Sequence, residues 1–351
     1  MITETSASWQ SPQPNWQHEL RQAVHNPAHL LALLELSDDA LAQTIIAKPH
    51  FKLKVPRSYI ARMHKGNPND PLLRQVLPCL DENKQSQGFS ADPVGDSAAI
   101  KVPGLLQKYQ GRVLWLVTGA CAIHCRYCFR QHYPISSSQT QTILKAIHAD
   151  TSITEVILSG GDPLVLTDTY LAEIAHHLAK IPHLQRLRLH TRLPIILPER
   201  VNDELLAWLT STRLQPIVVI HANHPNEIDK SVNDALQKLI KARITVLNQS
   251  VLLRGVNDNA TTLIALSEAL FNCQVLPYYL HLLDRVQGAS HFEVPESIAL
   301  QLLEQMHIAL PGYLVPKLVR EVASMAHKKL IENGDMGNRN RETENKGHRN
   351  K

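Results

Sequence analysis

No run of ~18 apolar residues occurs anywhere in this chain, so a membrane-spanning helix is not expected. Dense blocks of lysine and arginine are missing too. The 36 basic and 32 acidic residues are spread along the sequence and leave a net charge of +4, which gives nucleic acid no footprint. Aromatic residues are scarce at 5%, yet 44% of the chain is apolar, enough for a substantial core. The opening stretch, MITETSASWQSPQPNWQHEL, lacks an apolar signal core, and the expectation is a protein that stays in the cytoplasm. Cysteine is sparse and odd in number: Cys79, Cys121, Cys125, Cys128 and Cys273. With three of the five clustered, a metal or redox site is favoured over disulfides in a reducing compartment.

The 351 residues allow one large α/β domain or two smaller ones. Residues 1–100 read as a helical N-terminal region, with HLLALLELSDDALAQTIIAKPHF carrying apolar residues at helical spacing. A Gly/Pro/Asp-rich passage, SQGFSADPVGDSAAIKVPGLL, closes it. Across 101–290, short β-branched or apolar runs recur: RVLWLVT (112–118), EVILSGG (155–161), LRLHT (187–191), PIVVIHAN (216–223), ITVLNQSVL (244–252) and VLPYYLHLL (275–283). Helical patterns such as DTYLAEIAHHLAKI lie between them, which means parallel βα units. Six units suit a partial (β/α)6 barrel rather than a closed eight-stranded one. Residues 291–331 form a C-terminal segment, and 332–351, almost without large apolar residues, are expected to be disordered. Polar residues crowd the ends of the strands, at Thr118, Ser159–Asp162, His190–Arg192, His221–His224, Asn248–Ser250, His281 and Asp284. In parallel βα architectures the loops converge on that edge, so one active site is expected there.

CAIHCRYCFRQ (121–131) follows the first strand and spaces its thiols Cys-x3-Cys-x2-Cys. Three thiolates in one loop can hold three irons of a cubane and leave the fourth open, the mark of a working site. The competing reading is a zinc knuckle whose fourth ligand is His124 or Cys273. The spacing, with Tyr127 just before the last cysteine, resembles the radical S-adenosylmethionine (SAM) enzymes. That resemblance implies a 4Fe-4S cluster on Cys121, Cys125 and Cys128, with S-adenosylmethionine chelating the open iron. LSGGDPL resembles the superfamily's glycine-rich loop and implies cofactor contacts at Ser159, Gly160, Gly161 and Asp162, with His221 a further contact.

Five further stretches extend the likeness: VPGLLQKYQGRVLWLVTGACAIHCRYCFRQ, SGGDPL, HTRLPIILPERV, NQSVLLRGVNDN and PYYLHLLDRVQGASHF. Together they are similar to the lysine 2,3-aminomutase family. VPRSYIARMHKGNPNDPLLRQVLP and GYLVPKLVRE look closest to the branch that makes (R)-β-lysine for elongation factor P modification. The resemblance implies pyridoxal phosphate in the C-terminal segment, on a lysine sixteen residues past Gly312, which is Lys328. Lys329 is the adjacent alternative, and a surface lysine pair in a helix the bland reading. Lys108, Arg112 and Gln249 are implied at the coenzyme phosphate and Tyr109 at its ring. Arg130 is implied at the substrate carboxylate, with Asp284 and Glu321 at the ε-ammonium of L-lysine. Glu321 could equally be a helix ion pair with Lys317 or Arg320. An external one-electron reductant is implied as a partner, and a homo-oligomer remains open. Another radical SAM reaction (methylation or radical activation) and a non-catalytic iron–sulfur binding protein are the alternatives at the level of function.

Overall fold

Successive side chains along a strand point to opposite sides of a sheet, so a sheet that curves round on itself has an inner and an outer face. In the computed structural model, which describes residues 16–36, 43–46, 49–134, 139–323 and 325–332, ten strands form one sheet in sequence order. An antiparallel hairpin, β1 (Ile100–Val102) and β2 (Leu105–Tyr109), leads into β3 (Arg112–Thr118). From β3 onward the pairing is parallel through β4 (Glu155–Gly160), β5 (Arg186–Thr191), β6 (Gln215–Ile220), β7 (Thr245–Val251) and β8 (Leu276–His281). Helices Thr140–Ala149, Asp168–Ala179, Asp203–Thr210, Lys230–Lys241 and Ala260–Asn272 make the crossovers. The last four start at side-chain caps, Thr167, Asn202, Asp229 and Asn259, each accepting from a backbone N–H three residues on. This is a partial (β/α)6 barrel.

One face of each strand packs outward on the helices. Val156, Leu158, Leu187, Leu189, Val218 and Ile220 join Leu171, Ile174, Leu205 and Leu236 in the main core. The alternate positions, Ile157, Ser159, Arg188, His190, Gln249, Tyr279 and His281, line an interior cavity of about 460 Å³.

Three features differ from the sequence reading. The helix expected through residues 29–51 ends at Leu33, because the chain turns at Glu35, whose φ of 57° is left-handed. Among the described residues, the helices of the N-terminal region are short: Trp16–Arg21, Pro27–Leu33, Arg57–Ile60 and Pro71–Arg74. Beyond helix Glu296–Ala309 the sheet continues across residue 290: β9 (Lys317–Arg320) pairs parallel with β8, and β10 (Lys329–Leu330) antiparallel with β9. The stretch expected to be disordered lies outside the described residues from 333 onward. Among the described residues no helix is long and apolar enough to cross a membrane.

Candidate active site

The cysteine loop leaves β3 at Thr118 and is held from outside by the N-terminal region. Lys54 Nζ donates to the Cys121 carbonyl at 2.8 Å, the His124 amide to the Lys54 carbonyl at 3.0 Å, and the Arg126 amide to the Gln75 carbonyl at 2.9 Å. The Arg126 guanidinium, 1% exposed, pairs with Glu82 and donates to the Phe51 carbonyl at 2.5 Å. All three thiols are free and line the cavity. Burial and then the neighbouring thiols push Cys121 up, and burial with Cys125 pushes Cys128 up to about 11. Three thiols on one short loop, with Cys121 and Cys128 raised in part by their neighbours, are a donor set for a strongly cationic centre. Among the described residues no three or more His, Cys, Asp or Glu converge as a site for one metal ion. A cubane asks for something different, one thiolate on each of three irons.

Neither fourth ligand of the zinc reading is in position. His124 Nδ1 lies 2.6 Å from the Lys52 carbonyl and its ring stacks on Phe51. Cys273 is buried in the main core ahead of β8, at the opposite end of the strands from the cysteine loop.

Ser159, Gly160, Gly161 and Asp162 line the same cavity. The glycines serve a close approach of backbone to backbone. Gly160 has a φ of 116°, and a Cβ on Gly161 would sit 2.1 Å from the Ala120 carbonyl oxygen. Asp162 is fully engaged as a brace: its carboxylate accepts from Thr191 Oγ1 (2.7 Å) and from the amides of Arg192, Leu193 and Leu164 (2.7, 3.2 and 3.0 Å). His221 also lines the cavity, with Nε2 3.2 Å from the Tyr127 hydroxyl, and burial pushes it down to about 3. His190 and His281 are driven down by burial too, so these three imidazoles are neutral at physiological pH.

Lys108, Tyr109, Arg112, Arg130, Gln249, Asp284, Glu321 and Lys328 all reach the cavity wall. Strand alternation separates the two candidate lysines. Lys328 and Leu330 face the cavity, while Lys329, in register with Arg320, is not part of the wall. Lys328 Nζ pairs with Glu321 and lies 6.0 Å from the Tyr279 ring centroid. Glu321 also accepts from the Tyr109 hydroxyl at 2.5 Å, and Arg112 lies over the Tyr109 ring at 4.6 Å. The helix ion-pair alternative for Glu321 does not hold: Lys317–Arg320 is a strand, and Arg320 pairs with Glu296 at 2.7 Å. Arg130 Nε donates to Asp96 at 2.8 Å. Burial pushes the Asp284 carboxyl up to about 7, against the pull of Lys328, Lys108 and Arg130.

Sequence reasoning gave no role to three participants, although Arg192 stood among the polar residues at the strand ends. Arg188 projects inward from β5 beside Tyr278 and Tyr279, and its alternation with Leu187 and Leu189 was the available signal. Arg192 is buried and donates from Nη1 to Cys125 Sγ at 2.7 Å and from Nη2 to Gln75 (2.7 Å) and Glu227 (2.8 Å). Asp96 had no signal at all, one acid in an irregular loop.

A family model described as a 4Fe-4S single cluster domain matches residues 109–187. An L-lysine 2,3-aminomutase of Haemophilus influenzae is 49% identical over 322 residues, 90% of this chain and 95% of its own length. That of Escherichia coli is 47% identical, covering 91% of this chain and 94% of the relative. That of Clostridium subterminale is 32% identical, covering 87% and 74%. The open parallel sheet, the three-thiol loop and the matching cluster model define a radical S-adenosylmethionine protein. Within that class, the chain belongs to the lysine 2,3-aminomutase family.

Proposed function

We propose that this protein is an L-lysine 2,3-aminomutase, an isomerase that moves the α-amino group of L-lysine to C3 and gives (R)-β-lysine. The observation that carries the reading is a single cavity lined at once by Cys121, Cys125 and Cys128, by Lys328, and by Arg130, Asp284 and Glu321. When bound, a 4Fe-4S cluster with S-adenosylmethionine would supply radical hydrogen-transfer chemistry, and pyridoxal phosphate would supply a π-system that stabilises a radical.

The chain's own residues then have these roles. The three cysteines hold the cluster, and Ser159–Gly161 and His221 shape the nucleotide site that Asp162 braces. Lys328 carries the coenzyme, Lys108, Arg112 and Gln249 receive its phosphate, and Tyr109 packs on its ring. Arg130 Nε is taken by Asp96, so its two terminal nitrogens remain for a substrate carboxylate. Asp284 and Glu321 receive the ε-ammonium. One arginine for the carboxylate and two acids for the distal ammonium select for length, because a shorter diamino acid cannot reach both. Buried neutral histidines and apolar walls keep water from the reacting carbons.

The finer reading adds a cytoplasmic setting, an external one-electron reductant and supply of β-lysine to elongation factor P, on the strength of the sequence likeness to that branch. Anaerobic incubation with L-lysine, dithionite, S-adenosylmethionine and pyridoxal phosphate, followed by chiral product analysis, tests the core reading. The expected product is (R)-β-lysine, lost in Arg130→Ala and Asp284→Ala with iron content retained. Normal turnover in both variants would overturn the substrate assignment.

A further inference from the structure

Ion pairs run through the cavity wall in one alternating series: Arg130, Asp96, Lys108, Glu321, Lys328. Asp96 is its least exposed member, with a side chain 1% exposed. Oδ2 accepts from Arg130 Nε at 2.8 Å and Oδ1 faces Lys108 Nζ at 2.7 Å. We propose that Asp96 is a positioning residue for this site, a single carboxylate that fixes Arg130 for the substrate's carboxylate and keeps Lys108 off the acids meant for its ammonium. This deepens the aminomutase reading and rests on it.

The loop that delivers Asp96 is built to hold it there. The Ser90 amide donates to the Arg285 carbonyl at 3.0 Å and the Gln287 amide to the Ser90 carbonyl at 2.9 Å, anchoring the loop beside Asp284. The Asp92 carboxylate accepts from the amides of Asp96 (2.8 Å) and Ser97 (3.0 Å), which closes the turn. Gly95, at a φ of 67°, lies so near the C-terminal segment that a Cβ would be 3.0 Å from Ala323 Cβ.

Two consequences follow from donor geometry. A guanidinium has five N–H donors in a rigid fork, and occupying Nε fixes the plane in which the two terminal nitrogens face the cavity, where Nη1 lies 3.5 Å from Ser159 Oγ. Lys108 Nζ donates to the Val94 carbonyl at 2.8 Å and lies 3.8 Å from Glu321, so without Asp96 its charge loses its nearest acid and is left beside the one that a ligand's ammonium needs. Asp96 thus serves both ends of a ligand that carries a carboxylate and a distal ammonium, while a diamine gains from only one.

The test compares L-lysine with 1,5-diaminopentane, which lacks the carboxylate, by equilibrium dialysis against the coenzyme-loaded, cluster-containing protein. Iron content and coenzyme absorbance check that each variant is intact. For Asp96→Asn the preference for lysine over the diamine is expected to shrink by about tenfold, and for Asp96→Glu to recover in part. In turnover, KM for lysine rises about tenfold while kcat changes by less than about threefold. An unchanged preference in Asp96→Asn, or equal weakening of both ligands, overturns the assignment of Asp96 alone. A wild-type protein that fails to bind lysine overturns the aminomutase reading and this assignment together.

Discussion

Asp284 shows how one buried group ties affinity to pH. Its carboxyl is pushed up to about 7 by burial, so it is protonated below that point and ionised above it. An ammonium partner needs the ionised form, and the ε-amino group of lysine keeps its proton up to about 10.4. The dissociation constant for lysine, read by equilibrium dialysis, is therefore expected to fall as pH rises through about 7 and to level off above, a limb that Asp284→Asn removes. Stability runs the other way. A carboxyl whose folded pKa lies above its unfolded value near ~3.9 loses stability between the two values and is flat above the higher one. Asp284→Asn is then expected to melt at a higher temperature than wild type at pH 8, even as lysine turnover is lost. A calorimetric scan with no such gain would show that the buried acid carries no penalty. At this scale the sequence offered residue types and no partners: Arg130, Asp284 and Glu321 were singled out through the family likeness and do line the cavity, Arg192 was placed at the strand ends without a role, and Asp96 was not noticed, because what distinguishes it is whom it touches.

The cysteine loop and the β4 loop form one unit, and its tolerance is set by backbone contact. The Gly161 amide donates to the Thr118 carbonyl at 2.6 Å and the Asp162 amide to the Ala120 carbonyl at 2.8 Å. A Cβ at 161 would lie 2.1 Å from the Ala120 oxygen and 2.7 Å from its carbonyl carbon, just ahead of Cys121. Gly161→Ala must displace the chain entering the thiol triplet, and the expected result is reconstituted protein with clearly fewer iron and sulfide atoms per chain. Full iron loading in that variant would show that the loop adapts. The long parallel strands were readable from their β-branched runs. β1, β9 and β10 were not, having three, four and two residues, too short for any periodicity to register. They are strands because a neighbour supplies their hydrogen bonds: β9 exists only where helix Glu296–Ala309 returns the chain alongside β8.

Across the whole molecule, the N-terminal region works as a clamp on the cluster loop. Arg126 sits two residues from Cys128, and its buried charge is balanced by Glu82, forty-four positions earlier in the chain. Removing one partner of such a pair leaves a buried charge uncompensated and costs about 3–5 kcal/mol. Glu82→Ala is expected to lower the melting temperature and to speed loss of iron on exposure to air, with Glu82→Gln intermediate. Unchanged iron retention would mean the clamp is dispensable. This arrangement also explains why reading residues 1–100 as a separate helical zone captured so little of their role: their helices are short, and their contacts run to the core.

The sequence by itself determined the thiol triplet, the succession of parallel βα units and the family, because each is written in local spacing or in extended similarity along the chain. The tertiary structure decided that Lys328 rather than Lys329 faces the cavity, that Asp96 stands between Arg130 and Lys108, and that Glu82 balances Arg126. Those outcomes depend on strand register and on pairings between residues 12 to 44 positions apart, and no local pattern of side chains encodes which distant partner the fold brings near.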